Sequence, residues 1–205
     1  MKKIAPAFFI AALVAGFTLS SSAGELPEVE TKPIFNGKDL SGWKAPEDNI
    51  WWLVKDEVLE VRSGPKKKGG ILWTESEYED FVFECEFRFG EGTVDSGIHV
   101  RNQDQIQIGI SGSLKRDMTA SPYIPGKGYP VEAEGVAELL KADDWNHLVI
   151  KVVGKNYTTY LNGKKVMTYD SDSAKLKGPI GIQLHGNRDM AIDYRNIKVA
   201  ELEKK

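Results

Sequence analysis

The residues best suited to chemistry lie in three short stretches where apolar and polar side chains alternate. In GIHVR (97–101), Ile98 and Val100 point one way, and Gly97, His99 and Arg101 the other. In QIQIGI (105–110), three isoleucines oppose Gln105, Gln107 and Gly109. In GIQLH (181–185), Ile182 and Leu184 oppose Gly181, Gln183 and His185. A strand facing plain solvent usually carries Lys, Glu, Thr or Ser on its polar side. If these three strands share a sheet, one surface gathers two imidazoles, a guanidinium and three amides. Imidazole takes and gives protons near neutral pH, and a guanidinium can hold a developing oxyanion. The glycines on the same faces leave room for a ligand to approach the backbone.

Amides, a charged fork and flat aromatic faces are the groups that bind sugars. Trp43, Trp51, Trp52, Trp73 and Tyr123 supply candidate aromatic faces, although several of them must be core. Within FVFECEFRF (81–89), Glu84, Glu86 and Arg88 share one parity. The connection EGTVDS suggests that this strand and GIHVR are antiparallel neighbours, so that Glu84 and Glu86 border the His99/Arg101 row. The competing reading is a solvated sheet face. His147, beside Trp145, reads as structural, and Cys85, among aromatics, as a core filler. The chain lacks a Gly-x-Ser-x-Gly elbow, a phosphate loop, a dinucleotide fingerprint and a His-Glu-x-x-His motif. No Cys/His cluster has zinc spacing. Ordinary glycoside hydrolysis uses two opposed carboxylates. Glu84, Glu86, Asp95 and Asp117 are present, but no spacing singles out a pair.

These residues need strands to position them, and strands dominate the pattern. Candidates are 51–54, 58–62, 70–74, 81–89, 97–101, 105–110, 147–153, 157–161, 165–169, 180–185 and 190–199, short runs separated by Gly, Asn and Asp turns. That pattern implies an all-β sandwich or barrel. Asn162-Gly163 marks a hairpin, because a type I′ turn needs positive φ at both central residues. Asp56-Glu57 is a weaker hairpin signal. A short helix is expected over 136–141. Residues 111–140 hold Pro122, Pro125 and Pro130 with no long periodic pattern, and loops of that length are usually functional or disordered. Tyr123, Ile124, Tyr129 and Val131 suit a loop folded back over the body.

The chain has 205 residues and opens with Lys2 and Lys3, an apolar stretch over 7–19 and small residues at 21–24. This is the layout of a secretory signal peptide over 1–24, followed by a flexible lead-in over 25–32. The apolar run is too short for a stable membrane span, so export to a periplasm or the exterior is expected, with no stable membrane insertion after cleavage. A remainder of roughly 180 residues suits one domain over 33–201. A single cysteine excludes an intramolecular disulfide framework. Net charge is −3 with both signs mixed, and no basic stripe supports nucleic-acid binding. Nothing in the pattern specifies an oligomeric state.

PIFNGKDLSGW (33–43), WWLVKDEVLEV (51–61), GGILWTESEYEDFVFECEFRF (69–89), DSGIHVR (95–101), DDWNHLVIKVVG (143–154), YLNGKKV (160–166), GPIGIQLHG (178–186) and DYRNIKV (193–199) occur in that order. The ordered set resembles the 3-keto-disaccharide hydrolase family and covers about 33–201. The resemblance implies a concanavalin-like jelly-roll sandwich of two antiparallel sheets. It also implies hydrolase or lyase activity on glycosides whose C3 hydroxyl has become a ketone. The ketone acidifies C2–H; a base removes that proton, the anomeric group leaves, and water adds back. On this reading His99 or His185 is base or acid, and Arg101 holds the enolate or a sugar oxygen. Gln105, Gln107 and Gln183 orient hydroxyls on a mono- or oligosaccharide. No cofactor is required; a divalent metal held by Glu86, His99 or His185 would be the alternative electrophile.

Two departures stand out. Members often carry Asn-Ser-Gly where this chain has Asp95-Ser96-Gly97, and many carry a Glu-aromatic-Gln pattern where it has Gln105-Ile106-Gln107. Arg116 and Asp117, on the 111–140 loop, are candidates to replace the missing carboxylate at the site, the competing reading being a surface pair. The runner-up function is a non-catalytic carbohydrate-binding module of the same fold. An interaction protein of the cell envelope is a third reading.

Overall fold

The computed structural model describes residues 24–101 and 104–203. The expected signal peptide lies outside the described residues except for Gly24. The strands are β1 (Lys32–Pro33), β2 (Trp43–Lys44), β3 (Trp52–Lys55), β4 (Val58–Arg62), β5 (Gly70–Thr74), β6 (Phe81–Gly92) and β7 (Asp95–Val100). They continue with β8 (Asp104–Gly109), β9 (Pro122–Tyr123), β10 (Asn146–Val153), β11 (Asn156–Leu161), β12 (Lys164–Asp170), β13 (Ile180–Leu184) and β14 (Met190–Glu201). One short helix, α1 (Val136–Leu139), interrupts them. Sheet A runs β12-β11-β10-β6-β14-β4-β3, with β1 added to β14; sheet B runs β2-β5-β13-β7-β8-β9. The pairings are antiparallel throughout, and the two sheets stack as a jelly-roll sandwich.

The core lies between the sheets and is built from the alternation. Phe81, Phe83, Cys85 and Phe87 of β6 meet Ile98, Val100, Ile106, Ile108, Ile182 and Leu184 of sheet B in one buried cluster. The outward residues of β6 therefore face away from sheet B. Both hairpin signals correspond to turns with positive φ at their central residues: 50° and 62° at Asp56 and Glu57, 48° and 85° at Asn162 and Gly163. The long loop does fold back. Ile124 and Ala120 are fully buried, and β9 pairs with β8. The lead-in expected to be flexible is instead held at its end by β1, and Thr31 donates to Glu84 at 2.5 Å.

Two sequence expectations about neighbours do not hold. β6 and β7 are not a hairpin: the connection at 93–94 carries the chain from sheet A to sheet B. Arg101 does not share the face of His99. It follows β7 at φ 54°, and the left-handed backbone ends the strand alternation. Its fully buried guanidinium turns to the sheet A side and donates to the carbonyls of Glu79, Gly154 and Lys175 and to the Asp80 carboxylate at 2.8 Å. Asp80 also accepts from Gly154 N. This cluster ties the end of β7 to the start of β6 and the β10–β11 turn.

The outer face of sheet A is an ion-pair lattice. Asp193 takes Arg62 at 2.5 Å and Arg88 at 2.8 Å; Glu86 takes Arg195 at 2.6 Å; Glu84 takes Lys198 and His147, each at 3.2 Å. Trp145 lies under Arg195 and Arg88, at 4.0 and 4.7 Å. Burial alone would raise the carboxyls of Glu84 and Asp193. The bonds from Thr31, Lys198 and His147, and from Arg88 and Arg62, outweigh it and hold both below their ordinary values.

Removing the buried cation in Arg101→Ala leaves three carbonyls and Asp80 without their donor, and is expected to cost about 3 kcal/mol in urea unfolding. Groups with lowered folded-state pKa stabilise above their unfolded value, about 4 for carboxyls, and lose that contribution as pH falls through the lowered one. Stability should therefore fall on acidification below about pH 4. Unfolding midpoints of Glu84→Gln and Asp193→Asn should depend less steeply on pH in that range than those of the unmodified chain.

Candidate functional site

The polar face of sheet B follows from its buried one. With Ile98, Val100, Ile106 and Ile108 inward, Asp95, His99, Gln105 and Gln107 must face outward. Register then sets neighbours. His99 stands opposite Gly181 and Gln105, and Gln105 stands opposite Tyr123 of β9. All four outward residues of β7 and β8 are nonetheless buried, because other side chains and loops lie across them.

The amides form a relay. Gln105 Nε2 lies within hydrogen-bond distance of three acceptors: Ser96 O at 3.1 Å, Gln107 Oε1 at 2.9 Å and Gln183 Oε1 at 3.1 Å. Gln107 Nε2 in turn donates to Asp95 Oδ1 at 2.8 Å. Gly97 makes this possible: a Cβ there would fall 2.2 Å from Gln105 Nε2 and 2.6 Å from Ile106 O. Asp95 is a buried carboxylate, its charge balanced by Arg188 Nη1 at 3.0 Å. His185 Nε2 lies 3.8 Å from the same oxygen, Oδ2, on a side chain 40% exposed. His185 Nδ1 is 2.8 Å from Gly186 O. A carbonyl only accepts, so Nδ1 carries the hydrogen and Nε2 offers the lone pair of the neutral ring. A proton taken at Nε2 would sit beside the Asp95 charge.

Aromatic side chains wall this floor. The His99 ring packs on Trp73 with centroids 5.3 Å apart. Tyr123 meets Tyr129 edge-on at 5.2 Å. Burial first, then the Asp95 charge, push the Tyr129 phenol up to about 12 against the lowering effect of its bond to Ser111. Tyr129 therefore stays a hydroxyl donor at neutral pH.

Of the residues expected at the site, His99, His185, Gln105, Gln107, Gln183 and Tyr123 lie on this face. Arg101, Glu86, Arg116 and Asp117 do not join them. Arg101 is the buried tie described above. Glu86 is on the outer face of the other sheet, paired with Arg195. Arg116 pairs with Glu132 at the surface, and Asp117 Oδ1 accepts from Thr119 N at 2.8 Å in a local turn. The metal set of Glu86 with His99 or His185 is thus not assembled. Among the described residues, no three His, Cys, Asp or Glu side chains cluster at metal-binding range, and the donors do not fit such an ion. The sequence marks Asp95 only as a loose carboxylate and a departure, Tyr129 only as a loop residue, and Arg188 not at all. Extending the 97–99–101 parity back two residues reaches Asp95; no comparable signal marks Arg188, in the turn after β13.

By fold, the chain is a two-sheet jelly-roll domain whose solved structural neighbours include candidate glycosyl hydrolases and a carbohydrate-binding module. A solved candidate glycosyl hydrolase of Parabacteroides distasonis is 26% identical with a TM-score of 0.62, the match covering 85% of this chain and all 100% of that one. A second from the same organism is 19% identical with a TM-score of 0.65, covering 84% and 94%. The carbohydrate-binding module CBM66 of Bacillus subtilis shares the fold at 15% identity and a TM-score of 0.51, covering 78% and 96%. Residues 30–200 match the 3-keto-alpha-glucoside-1,2-lyase-like domain, and the chain belongs to that family. No curated protein sequence matches it.

The three acceptors around position 105 require a donor there, which the Gln105 amide supplies. Gln105→Glu places an acceptor-only carboxylate among them. Urea unfolding is expected to show a loss of about 1–3 kcal/mol at pH 7. The loss should shrink on acidification, because protonation restores an O–H donor.

Proposed function

We propose that the chain is an exported hydrolase or lyase that cleaves the glycosidic bond of 3-keto-glycosides by base-assisted elimination and hydration. The observation that carries the reading is the grouping of His185, Asp95 and Arg188 at one end of the amide floor. His185 Nε2 takes the C2 proton, with Asp95 3.8 Å away to balance the imidazolium. The electron pair moves into a C2–C3 double bond and onto the C3 oxygen, an enolate that the Arg188 guanidinium stabilises. Arg188 thus takes the part that the sequence suggests for Arg101. The enolate collapses, the C1–O bond breaks, and the leaving oxygen is protonated by water or by the Tyr129 hydroxyl. Water then adds at C1, giving its second proton to the Tyr129 phenolate or hydroxide left by the preceding step, and His185 returns its proton to C2, so the net change is hydrolysis.

Gln183, half-exposed above the relay, and Trp73 are the groups placed to hold sugar hydroxyls and a ring face. Export rests on the amino-terminal layout of a basic pair, an apolar run and small residues. Among the described residues no helix is long and apolar enough to cross a membrane. The relay favours one second reading, a carbohydrate-binding module. Its amides satisfy one another and form a rigid polar floor that needs no turnover.

Purified chain is expected to release nitrophenol from p-nitrophenyl 3-keto-α-glucoside and to leave the unoxidised glucoside intact. His185→Ala should slow that release by about 10²–10⁴-fold, the usual contribution of a general base. Saturable binding of the 3-keto-glucoside with no release by the unmodified chain would move the assignment to the binding module.

A further inference from the structure

A cleft of about 240 Å³ opens beside the polar floor, lined by Lys44, Trp51, Trp52, Lys68, Gly70 and Ile71 among others. It shares strand β5 with the floor. Ile71 lines the cleft while its cross-strand partner, Gln183, joins the amide relay; Lys44 pairs with Trp73, which packs on His99. Neighbouring strands are about 4.8 Å apart, so a ligand in the cleft lies one or two strand spacings from Gln183. That is the reach of an oligosaccharide already bound on the floor.

The cleft has its own chemistry. Lys68 Nζ stands 5.2 Å over the Trp51 ring, and Trp51 and Trp52 meet edge-on at 6.1 Å. Trp52 is 3% exposed, and its buried indole Nε1 has no hydrogen-bond partner among the described residues. Buried donors are rarely left without an acceptor. Lys67, by contrast with its neighbour, is neutralised by Asp189 at 2.5 Å. Among the described residues neither Lys44 nor Lys68 has a carboxylate within 4.0 Å, although the chain as a whole is acidic at −3. Two uncompensated ammonium groups thus flank indole rings. A neutral sugar would leave both charges unused.

We infer that this cleft is a second saccharide subsite that takes an anionic sugar, a uronate or a sulfated residue, next to the reacting one. The inference rests on the sugar-handling reading above and extends it from the reacting ring to its neighbour. The carboxylate or sulfate sits between Lys44 and Lys68, and the sugar ring lies against the tryptophan pair. Such charge-assisted bonds weaken with added salt.

Tryptophan fluorescence titration tests it without any turnover. The probes are methyl β-D-glucuronide and glucose 6-sulfate, with methyl β-D-glucoside and inorganic sulfate alongside. The acidic glycosides are expected to bind at least about tenfold more tightly than the neutral glucoside, with affinity falling as NaCl rises. The Lys44→Gln/Lys68→Gln double variant should lose about that factor. Lys177→Gln, the same charge change at an exposed loop remote in sequence, should lose none. Equal binding of acidic and neutral glucosides, no binding of either acidic probe, unchanged affinity in the double variant, or sulfate alone binding as tightly would each overturn the subsite. Release of nitrophenol from the neutral 3-keto-glucoside is read separately, so a failed subsite leaves the catalytic assignment standing, and a failed turnover assay leaves the subsite standing.

Discussion

The isoleucines of β7, β8 and β13 carry the register on which the polar floor depends. Ile98, Ile106, Ile108 and Ile182 are fully buried between the sheets. Each such side chain contributes about 1.5–3 kcal/mol when removed from water. Because successive residues on a strand face opposite ways, a one-residue slip would drive His99, Gln105 and Gln107 into the core and the isoleucines out. The chemistry on one side of sheet B is therefore held in place by the hydrophobic contacts on the other. Asp95 sits at the end of the same alternation, so its burial comes with the fold. Gln107 and Arg188 then supply the hydrogen bond and the countercharge that a buried carboxylate requires.

The two outer faces of the sandwich are organised differently. Sheet A presents paired charges, many of them half-exposed, and pairs of that kind contribute little individually to stability. Sheet B presents neutral amides locked to one another, with the Asp95–Arg188 pair at one end of them and Lys44 on the edge strand. On the proposed reading, a preorganised neutral floor with a compact charged end recognises a polyhydroxylated ring and moves a proton at one carbon of it. The charges of sheet A instead clamp strands and the amino-terminal segment.

Much of this is legible from alternation. Strand positions, both hairpin turns and five floor residues follow from a period of two and from turn residues with positive φ, and the folded-back loop with Tyr123 follows from its own apolar and aromatic residues. The failures share a cause, which is that periodicity describes a strand and stops where the strand does. Arg101 lies one residue past β7, where a left-handed φ reverses the side chain. A short connection resembling a hairpin would put Glu86 beside His99, yet here it crosses between sheets, a distinction that depends on which core the isoleucines join. Arg188 lies in a turn and reaches Asp95 only through the tertiary fold. Gln105 shows the opposite case: a sequence departure whose three converging acceptors are visible only in three dimensions.

The amino-terminal segment has a consequence for how the molecule is displayed. Leu26, Pro27, Val29 and Thr31 lie along Val82, Glu84, His147 and Val149, on the outer face of sheet A. β1 then stitches the segment to β14. The chain thus enters the domain from the back of the sandwich, with two sheets and the core between its entry point and the polar floor. A reporter, affinity handle or immobilising surface joined just before residue 26 would be held behind the molecule and leave the floor open to a bulky ligand. The same attachment on the loop that carries Tyr129 would stand in its path.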